Sequence, residues 1–361
     1  MACKGLDAQV VRPDDTELAQ LLDKFVLVRI TNFKPVDMNR FKFDYDLTFA
    51  VLMMDADGRT YSRFGTQDYK SLSDRMSIAG LKRAMRDVLA QHSGGTRERS
   101  AKPNLQPTFT LMSIPAYARS KQAGQECAHC HFANNFRFRQ LQTEGKFRKD
   151  MLFQYPLPDN VGVILDVDAN NVVKRVLPDS PAWRAGVQAG DVIAGANGAE
   201  VFTSADLQFA LDPILDPGQV ALNVLRDGKA QPPLTLRLPA GWRRTDISWR
   251  ASQGSVSPSV GIWGEPLNTE QRHQRGLQDE NLALKVTFLF PGPVWAKSRG
   301  GLSMGDVITG VNGAVLPSMT ARQFHAYFRT HFSVGDSVTL NVLRGEQKLD
   351  LKAPCIETNE E

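Results

Sequence analysis

Cys127-Ala128-His129-Cys130-His131 puts two of the chain's four cysteines and two of its six histidines within one short run. Two thiols at this spacing, followed at once by an imidazole, suit one reaction in particular. The thiols add to the two vinyl groups of a haem, and the adjacent imidazole takes an axial position on the iron. On this reading Cys127 and Cys130 carry one covalent haem c per chain and His131 ligates its iron. Met151, in Arg148-Lys149-Asp150-Met151-Leu152, is the candidate for the other axial position, ahead of Met112, His92 and His129. An ordinary core methionine is the competing reading of Met151. A His/Met pair would favour electron transfer, and an open sixth position small-ligand binding or peroxide chemistry. Two other readings of the motif stay open. Zinc could use Cys127, Cys130 and either histidine, but structural zinc asks for a second ligand pair, and the nearest other cysteines are Cys3 and Cys355. A thioredoxin-like dithiol normally opens a helix after a strand, whereas Ser120–Glu126, just upstream, is polar.

The elements around the motif must position it. Residues 93–126 carry Ser93-Gly94-Gly95-Thr96 and scattered prolines and read as a linker. After the motif, Phe136, Phe138, Leu141 and Phe147 fall where a helix could lay them against a porphyrin face, and Arg137, Arg139 and Arg148 could pair with its propionates. A solvated basic helix is the plainer alternative.

Length and composition limit the classes available. A chain of 361 residues can bury two or three separate cores, and 42% apolar with 23% charged residues is the balance of an ordinary globular protein. A net charge of +4 gives no argument for nucleic acid or an anionic membrane as partner. No apolar run is long enough to span a membrane. Met1-Ala2-Cys3-Lys4-Gly5-Leu6 lacks the basic head and apolar stretch of a secretory signal, while haem attachment takes place outside the cytoplasm. The expectation is therefore a periplasmic or otherwise extracytoplasmic protein whose presequence is absent from this chain.

The second half contains a duplication. Ser180-Pro181-Ala182-Trp183 is echoed by Gly292-Pro293-Val294-Trp295, Gly190-Asp191-Val192-Ile193 by Gly305-Asp306-Val307-Ile308, and Asn197-Gly198 by Asn312-Gly313. Asn223-Val224-Leu225-Arg226 returns as Asn341-Val342-Leu343-Arg344, in the same order. Within the first copy, Val172–Val176 reads as a strand, Ala182–Ala185 as one helical turn and Asp191-Val192-Ile193 as a returning strand. Asn197-Gly198 is a two-residue hairpin turn, Ser204–Leu211 a helix with Ser204 as its cap, and Val220–Leu225 a closing strand. Gly190, Asp191 and Asn197 read as turn chemistry.

This order, carried by the S-P-A-x-x-A-G-V-x-x-G-D-V-I-x-x-x-N-G run and its looser second copy, resembles PDZ domains of the kind attached to bacterial envelope proteases. The resemblance implies that an extended peptide, often a protein C-terminus, adds as a strand beside a helix. Its implied peptide-binding residues are Val161, Gly162 and Val163 in copy one, facing the helix Ser204–Leu211, and Val260, Gly261 and Ile262 in copy two, facing Thr320–Phe328. His325 on the second helix is read as facing a peptide or as plainly solvated. The charged insertion Glu265–Asn281 is expected near the second groove as a cover.

The first ninety residues show a helix at Asp15–Leu22, strands at Phe25–Ile30, Leu47–Met54 and Thr60–Phe64, a turn at Asp55–Gly58, and an amphipathic helix at Ser77–His92. Phe25-Val26-Leu27-Val28-Arg29-Ile30, Phe49–Gly58 and Tyr61–Gly65 resemble the second part of a thioredoxin-like fold. The position of that family's active dithiol falls on Cys3-Lys4-Gly5-Leu6, with one cysteine at most, and Leu47-Thr48 stands where thioredoxins have a cis-proline. Both departures point to a degenerate, docking-type domain without disulfide exchange.

The sequence thus predicts a multidomain α+β protein: residues 1–93 a degenerate thioredoxin-like domain, 94–150 a linker with the haem-binding segment, and 151–242 and 243–361 two PDZ-like β-barrel or sandwich domains. The combination resembles envelope proteins of planctomycetes and related bacteria. The expected function is a periplasmic monohaem c-type protein that transfers electrons to a redox partner while its PDZ units hold a peptide or protein. The alternative is a non-catalytic scaffold whose haem or metal senses redox state or a small ligand. A peptidase is set aside because no G-x-S-G-G or H-E-x-x-H occurs, and the upstream half is short for a trypsin-like domain. The chain is accordingly expected not to be an enzyme.

Overall fold

Local sequence chemistry starts each early element. Asp15 caps helix α1 (Thr16–Leu22) by accepting from Leu18 N at 3.0 Å, and Ser77 caps α2 (Ile78–Ser93) by accepting from Gly80 N at 2.9 Å. Between them β1 (Val51–Met54) and β2 (Thr60–Phe64) form an antiparallel hairpin over a turn in which Gly58 has φ +79°. Leu18, Met53, Tyr61, Phe64, Leu81, Met85 and Val88 close a small core among these elements. The computed structural model describes residues 10, 14–69, 74–94 and 106–358. The chain divides into two units, Met1–Asn134 with Asp150–Thr245, and Asn135–Lys149 with Asp246–Glu361.

The thioredoxin-like expectation is corrected here. Phe25–Ile30 forms no strand: Val26 is 93% and Val28 80% exposed. Among the described residues β1 pairs with β2 alone, so no central sheet forms. The β-branched run has apolar residues on both faces, and such a strand needs a cover on each side to be worth burying. Cys3-Lys4-Gly5-Leu6 lies outside the described residues. The single-turn helix α3 (Pro115–Ala118) and helix α4 (Phe132–Thr143) follow. Phe136 and Phe138 on α4 are already buried by protein, and Phe138 packs edge-on to Phe147 at 5.7 Å, so these rings offer no free porphyrin face.

In the first unit, β3 (Val163–Leu165) and β4 (Val173–Val176) make an antiparallel pair. They are followed by α5 (Pro181–Arg184), β5 (Val192–Ala196), β6 (Ala199–Glu200), α6 (Ser204–Leu211), β7 (Gly218–Arg226), β8 (Lys229–Ala230) and β9 (Leu234–Leu238). The larger sheet runs β6-β5-β7-β8, with β9 also on β7. Val163, Ile193, Leu207, Leu211, Val220 and Leu236 fill the core between sheet and helix. The cap of α6 is Thr203, with Ser204 its first residue; the two neighbouring hydroxyls are equivalent in sequence, and backbone geometry selects the one still extended. Asn197 and Gly198, at φ +48° and +82°, make the β5–β6 turn.

The second unit repeats the order. It contains β10 (Ile262–Pro266), α7 (Thr269–His273), β11 (Leu284–Leu289), α8 (Pro293–Ser298), β12 (Val307–Val311), β13 (Ala314–Val315), α9 (Ala321–His331), β14 (Ser337–Arg344) and β15 (Gln347–Pro354). The sheet order is β10-β11-β12-β14-β15, with β13 on β12. The insertion expected to cover the groove folds instead around buried Arg272, which donates to the Leu267 and Gln278 carbonyls and to Ser318 Oγ. Leu267 joins Ala283, Val307 and Leu343 in a separate small core there.

Candidate functional site

The repeated motifs explain themselves once paired. Asp191 Oδ1 accepts from Arg226 Nε at 2.7 Å, and Asp306 Oδ1 from Arg344 Nε at 2.8 Å. Each aspartate also takes a loop amide, Gln188 N or Ser303 N, at 2.8 Å. Burial pushes both carboxyls up, but the guanidinium and amide bonds outweigh it and hold them below the usual range. Asn197 and Asn312 likewise accept from Ala221 N and Thr339 N. A Cβ on Gly162 would overlap Ser180, and one on Gly261 the Trp295 carbonyl. The G-D-V-I, N-G, N-V-L-R and S-P-A-W echoes are therefore one brace built twice, and they frame a groove in each copy.

The groove strand of copy one is covered at Val163, which is 0% exposed. Leu177 N donates to Gly162 O at 2.9 Å, so those two residues form a hydrogen-bonded pair. In an antiparallel ladder alternate residues turn their polar groups to opposite sides. Val163, opposite Val176, therefore points its N–H and C=O away from β4. After a bulge, Asp166 N donates to Val172 O at 2.9 Å, which gives Leu165 the same outward role. A cavity of about 30 Å³ near the start of α6 is lined by Asp74, Arg75, Pro158, Asp159, Leu165 and Ser204. Val161 and Val163 turn their side chains into the core, and Gly162 lies in the left-handed region at φ +91°.

The groove of copy two is closed. Phe290 N donates to Gly261 O at 3.0 Å, so Ile262 is the outward-facing residue, but its N–H donates to Val260 O at 2.8 Å. Its C=O lies 3.0 Å from His325 Nε2. The carbonyl can only accept, so Nε2 carries the proton and Nδ1 accepts from Ser259 Oγ at 2.9 Å. Ser259 Oγ in turn accepts from Arg329 Nη2 at 3.1 Å. The ring stacks between Trp263 and Phe290, with centroids 6.1 and 6.3 Å away. Burial, reinforced by the Arg329 charge, pushes its pKa from the usual 6.5 down to about 3. His325 is thus neither solvated nor free to face a peptide. Nor does the Ser259–His325 bond make a hydrolytic pair, because Ser259 and His325 are 3% and 4% exposed and the second nitrogen meets a carbonyl. The matching position in copy one is Gln208, which donates to Tyr155 O at 2.9 Å.

The β1–β2 hairpin braces α6 from another flank. Asp206 accepts from Ser62 Oγ at 2.6 Å and Arg63 N at 2.8 Å, and the Arg63 guanidinium lies 3.6 Å over the Phe209 ring. Burial raises the Asp206 pKa to about 6 against these bonds. Nearer the groove mouth, Arg75 grips Asp159 through two bonds of 2.7 and 3.1 Å and Asp68 at 2.9 Å. Neither contact was legible in the sequence, since each joins residues more than eighty positions apart or sits in an unremarkable polar run.

The C-x-x-C-H residues are differently placed. Cys127 is exposed and Cys130 is partly buried, with Sγ 3.9 Å from Leu47 O. Burial, with Asp46 and Asp44 nearby, pushes the Cys130 thiol up to about 11, so it stays protonated. His131 and Met151 are half-buried, and the His129 and His131 rings stack at 5.7 Å. His92 Nδ1 lies 3.0 Å from Tyr61 Oη, and Met112 is 51% exposed. Among the described residues no group of three or more His, Cys, Asp or Glu side chains is placed to hold a metal ion.

Comparison with known proteins bears on the whole. A family model described as PDZ domain matches residues 172–226. A probable periplasmic serine endoprotease DegP-like of Pseudomonas savastanoi pv. phaseolicola is 34% identical over 184 residues, covering 50% of this chain and 36% of that protein. The periplasmic pH-dependent serine endoprotease DegQ of Escherichia coli is 34% identical over 149 residues, covering 41% and 29%. A solved HtrA-type protease AlgW with tripeptide aligns at a TM-score of 0.24 and 16% identity, over 46% of this chain and 58% of that one. The chain spans less than half the length of the curated relatives named here. The chain is a mixed α/β multidomain protein that contains a PDZ domain and is homologous to periplasmic proteases. The expectation of a c-type cytochrome, with haem, iron, electron transfer, a redox partner or a haem sensor, is overturned: the relatives are serine endoproteases, whose chemistry calls for no haem. The expectation that the chain is not an enzyme is corrected by the same relatives. The extracytoplasmic expectation agrees with them, and no helix among the described residues is long and apolar enough to cross a membrane.

Proposed function

We propose that this chain serves periplasmic proteolysis by recognising extended polypeptide, and that copy one, residues 151–242, is its peptide-binding PDZ domain. The observation that carries the reading is the braced framework of copy one, in which the end strand β3 and the helix α6 pack on one core through Val163, Leu207 and Leu211. A peptide adding there gains main-chain bonds from the strand and contacts from the helix. Val161, Gly162 and Val163 are the proposed contact residues. Copy two, residues 243–361, has the same framework with its groove filled by His325, and serves as a rigid companion. The N-terminal hairpin and α2, within 1–93, and the segment 94–150 complete the recognition module.

Fluorescence anisotropy with labelled unfolded polypeptide tests this directly. Binding is expected for the native protein and lost in Val163→Pro, which removes the Val163 N–H from β3. Equal binding by a folded Val163→Pro variant would refute the assignment. A second reading, hydrolysis by this chain itself, is favoured by the endoprotease identity of its relatives. Casein degradation blocked by a serine-directed fluorophosphonate would establish it, and casein left intact would reject it.

A further inference from the structure

The groove of copy one is covered by chain from outside the repeat. On α6, Ser204 and Gln208 stand four residues apart and share one helix face, the face that carries His325 in copy two. Both cavities along it are completed by N-terminal residues. Ser204 and Leu165 share the one of about 30 Å³ with Arg75, and Gln208 and Tyr155 share one of about 20 Å³ with Val51 and Phe64. Polar bonds hold this cover at both walls. On the helix side Asp206 accepts from Ser62 Oγ and Arg63 N, and at the loop before β3 Arg75 grips Asp159. Past the end of β3, Ser77 Oγ donates to Asp168 Oδ1 at 2.6 Å and Asn170 Nδ2 to Gly80 O at 2.8 Å.

Gly80 shows how closely α2 is seated. A glycine within a helix costs about 1 kcal/mol against alanine. Here a Cβ would lie 2.5 Å from Val167 O and 2.8 Å from Asn170 Oδ1, so only glycine lets α2 meet the β3–β4 connection. The two ends of the cover differ in depth. Asp206 is 3% exposed, whereas the Arg75 and Asp159 side chains are 20% and 28% exposed. Partly exposed ion pairs contribute little, so the hairpin end is fixed and the α2 end is the one that can release.

We propose that the β1–β2 hairpin and the start of α2 form an intramolecular plug on the first groove, anchored at Asp206, which an incoming polypeptide displaces by releasing the contacts at Arg75, Ser77 and Gly80. The proposal rests on the peptide-binding reading above. The apparent affinity is then the intrinsic affinity multiplied by the fraction of molecules whose groove is open. Each contact removed from the closed state alone tightens binding, the reverse of what removing a contact to the peptide does.

The test uses the full chain and fluorescein-labelled casein, an unfolded polypeptide, read by anisotropy with a serine-directed fluorophosphonate present. Gly80→Ala strengthens α2 as a helix while wedging it off Val167 O, and is expected to bind about tenfold tighter than the native protein. Arg75→Ala, which frees Asp159, should gain about fivefold. Asp168→Ala loses only the surface bond from Ser77 and should gain about twofold; it stands in for either variant that fails to fold. Unchanged or weaker binding by the folded variants would overturn the plug and leave the peptide-binding reading standing. No binding by the native protein or by any folded variant would overturn both.

Discussion

Replacing His325 with glutamine, the residue copy one uses at the same helix position, isolates one buried titration. The native ring stays neutral to about pH 3, while in the unfolded chain it protonates near 6.5. Below 6.5 the unfolded chain takes up a proton that the native protein refuses. The stability contribution is therefore complete above pH 6.5 and falls by about 1.4 kcal/mol per pH unit until the native ring protonates. Between pH 6.5, where the unfolded ring is already half protonated, and pH 4.5 the loss is about 2.3 kcal/mol. Urea unfolding followed by tryptophan fluorescence reads it, since Trp263 stacks on the ring and Trp295 packs on Phe290. Groups common to both proteins cancel in the difference between native and His325→Gln profiles. The native protein should lose about 2.3 kcal/mol more than the variant over that interval. Parallel profiles, or a His325 proton resonance titrating near pH 6.5, would refute the burial argument.

Gly261→Ala should destabilise by about 1–3 kcal/mol from overlap with the Trp295 carbonyl, and Gly162→Ala by more because its φ is +91°; urea midpoints measure both. Asp191→Ala and Asp306→Ala should lower the melting temperature of their own copies by similar amounts, because each removes the same brace. Their contribution is present above the usual carboxylate pKa of 3.8 and lost as pH falls through the depressed native values, so the native protein's advantage should vanish in acid. Asp206 works in the opposite sense: with a pKa raised to about 6, its contribution is complete below 3.8 and lost as pH rises through 6. Asp206→Asn should therefore remove a decline in stability between pH 4 and 7, seen by calorimetry.

Much of the second half was legible because its signals are local. Asn197-Gly198 needs no partner to specify a turn, Pro181 after Ser180 starts a helical turn by itself, and Ser77 and Asp15 cap helices from one residue away. The role of Asp191 and Asp306 was half visible: their repetition marked them, but not the arginine thirty-five or more residues on that each one holds. The C-x-x-C-H run misled for the converse reason. Its spacing states what the residues could do chemically, and nothing in it reports that Cys130 turns toward Leu47 O with its proton held in place.

Sequence alone determined the duplication, the order of elements in each copy and the PDZ resemblance, since these rest on turn chemistry and periodicity within short windows. Tertiary structure decided which groove strand is capped by its own helix. That choice depends on whether position five of the groove helix reaches the outward carbonyl of its strand, as His325 does and Gln208 does not. It also brought Arg75 onto Asp159 and left Phe25–Ile30 uncovered. Those outcomes come from contacts between residues distant in the chain, where burial and complementary charge, rather than local preference, set the energy.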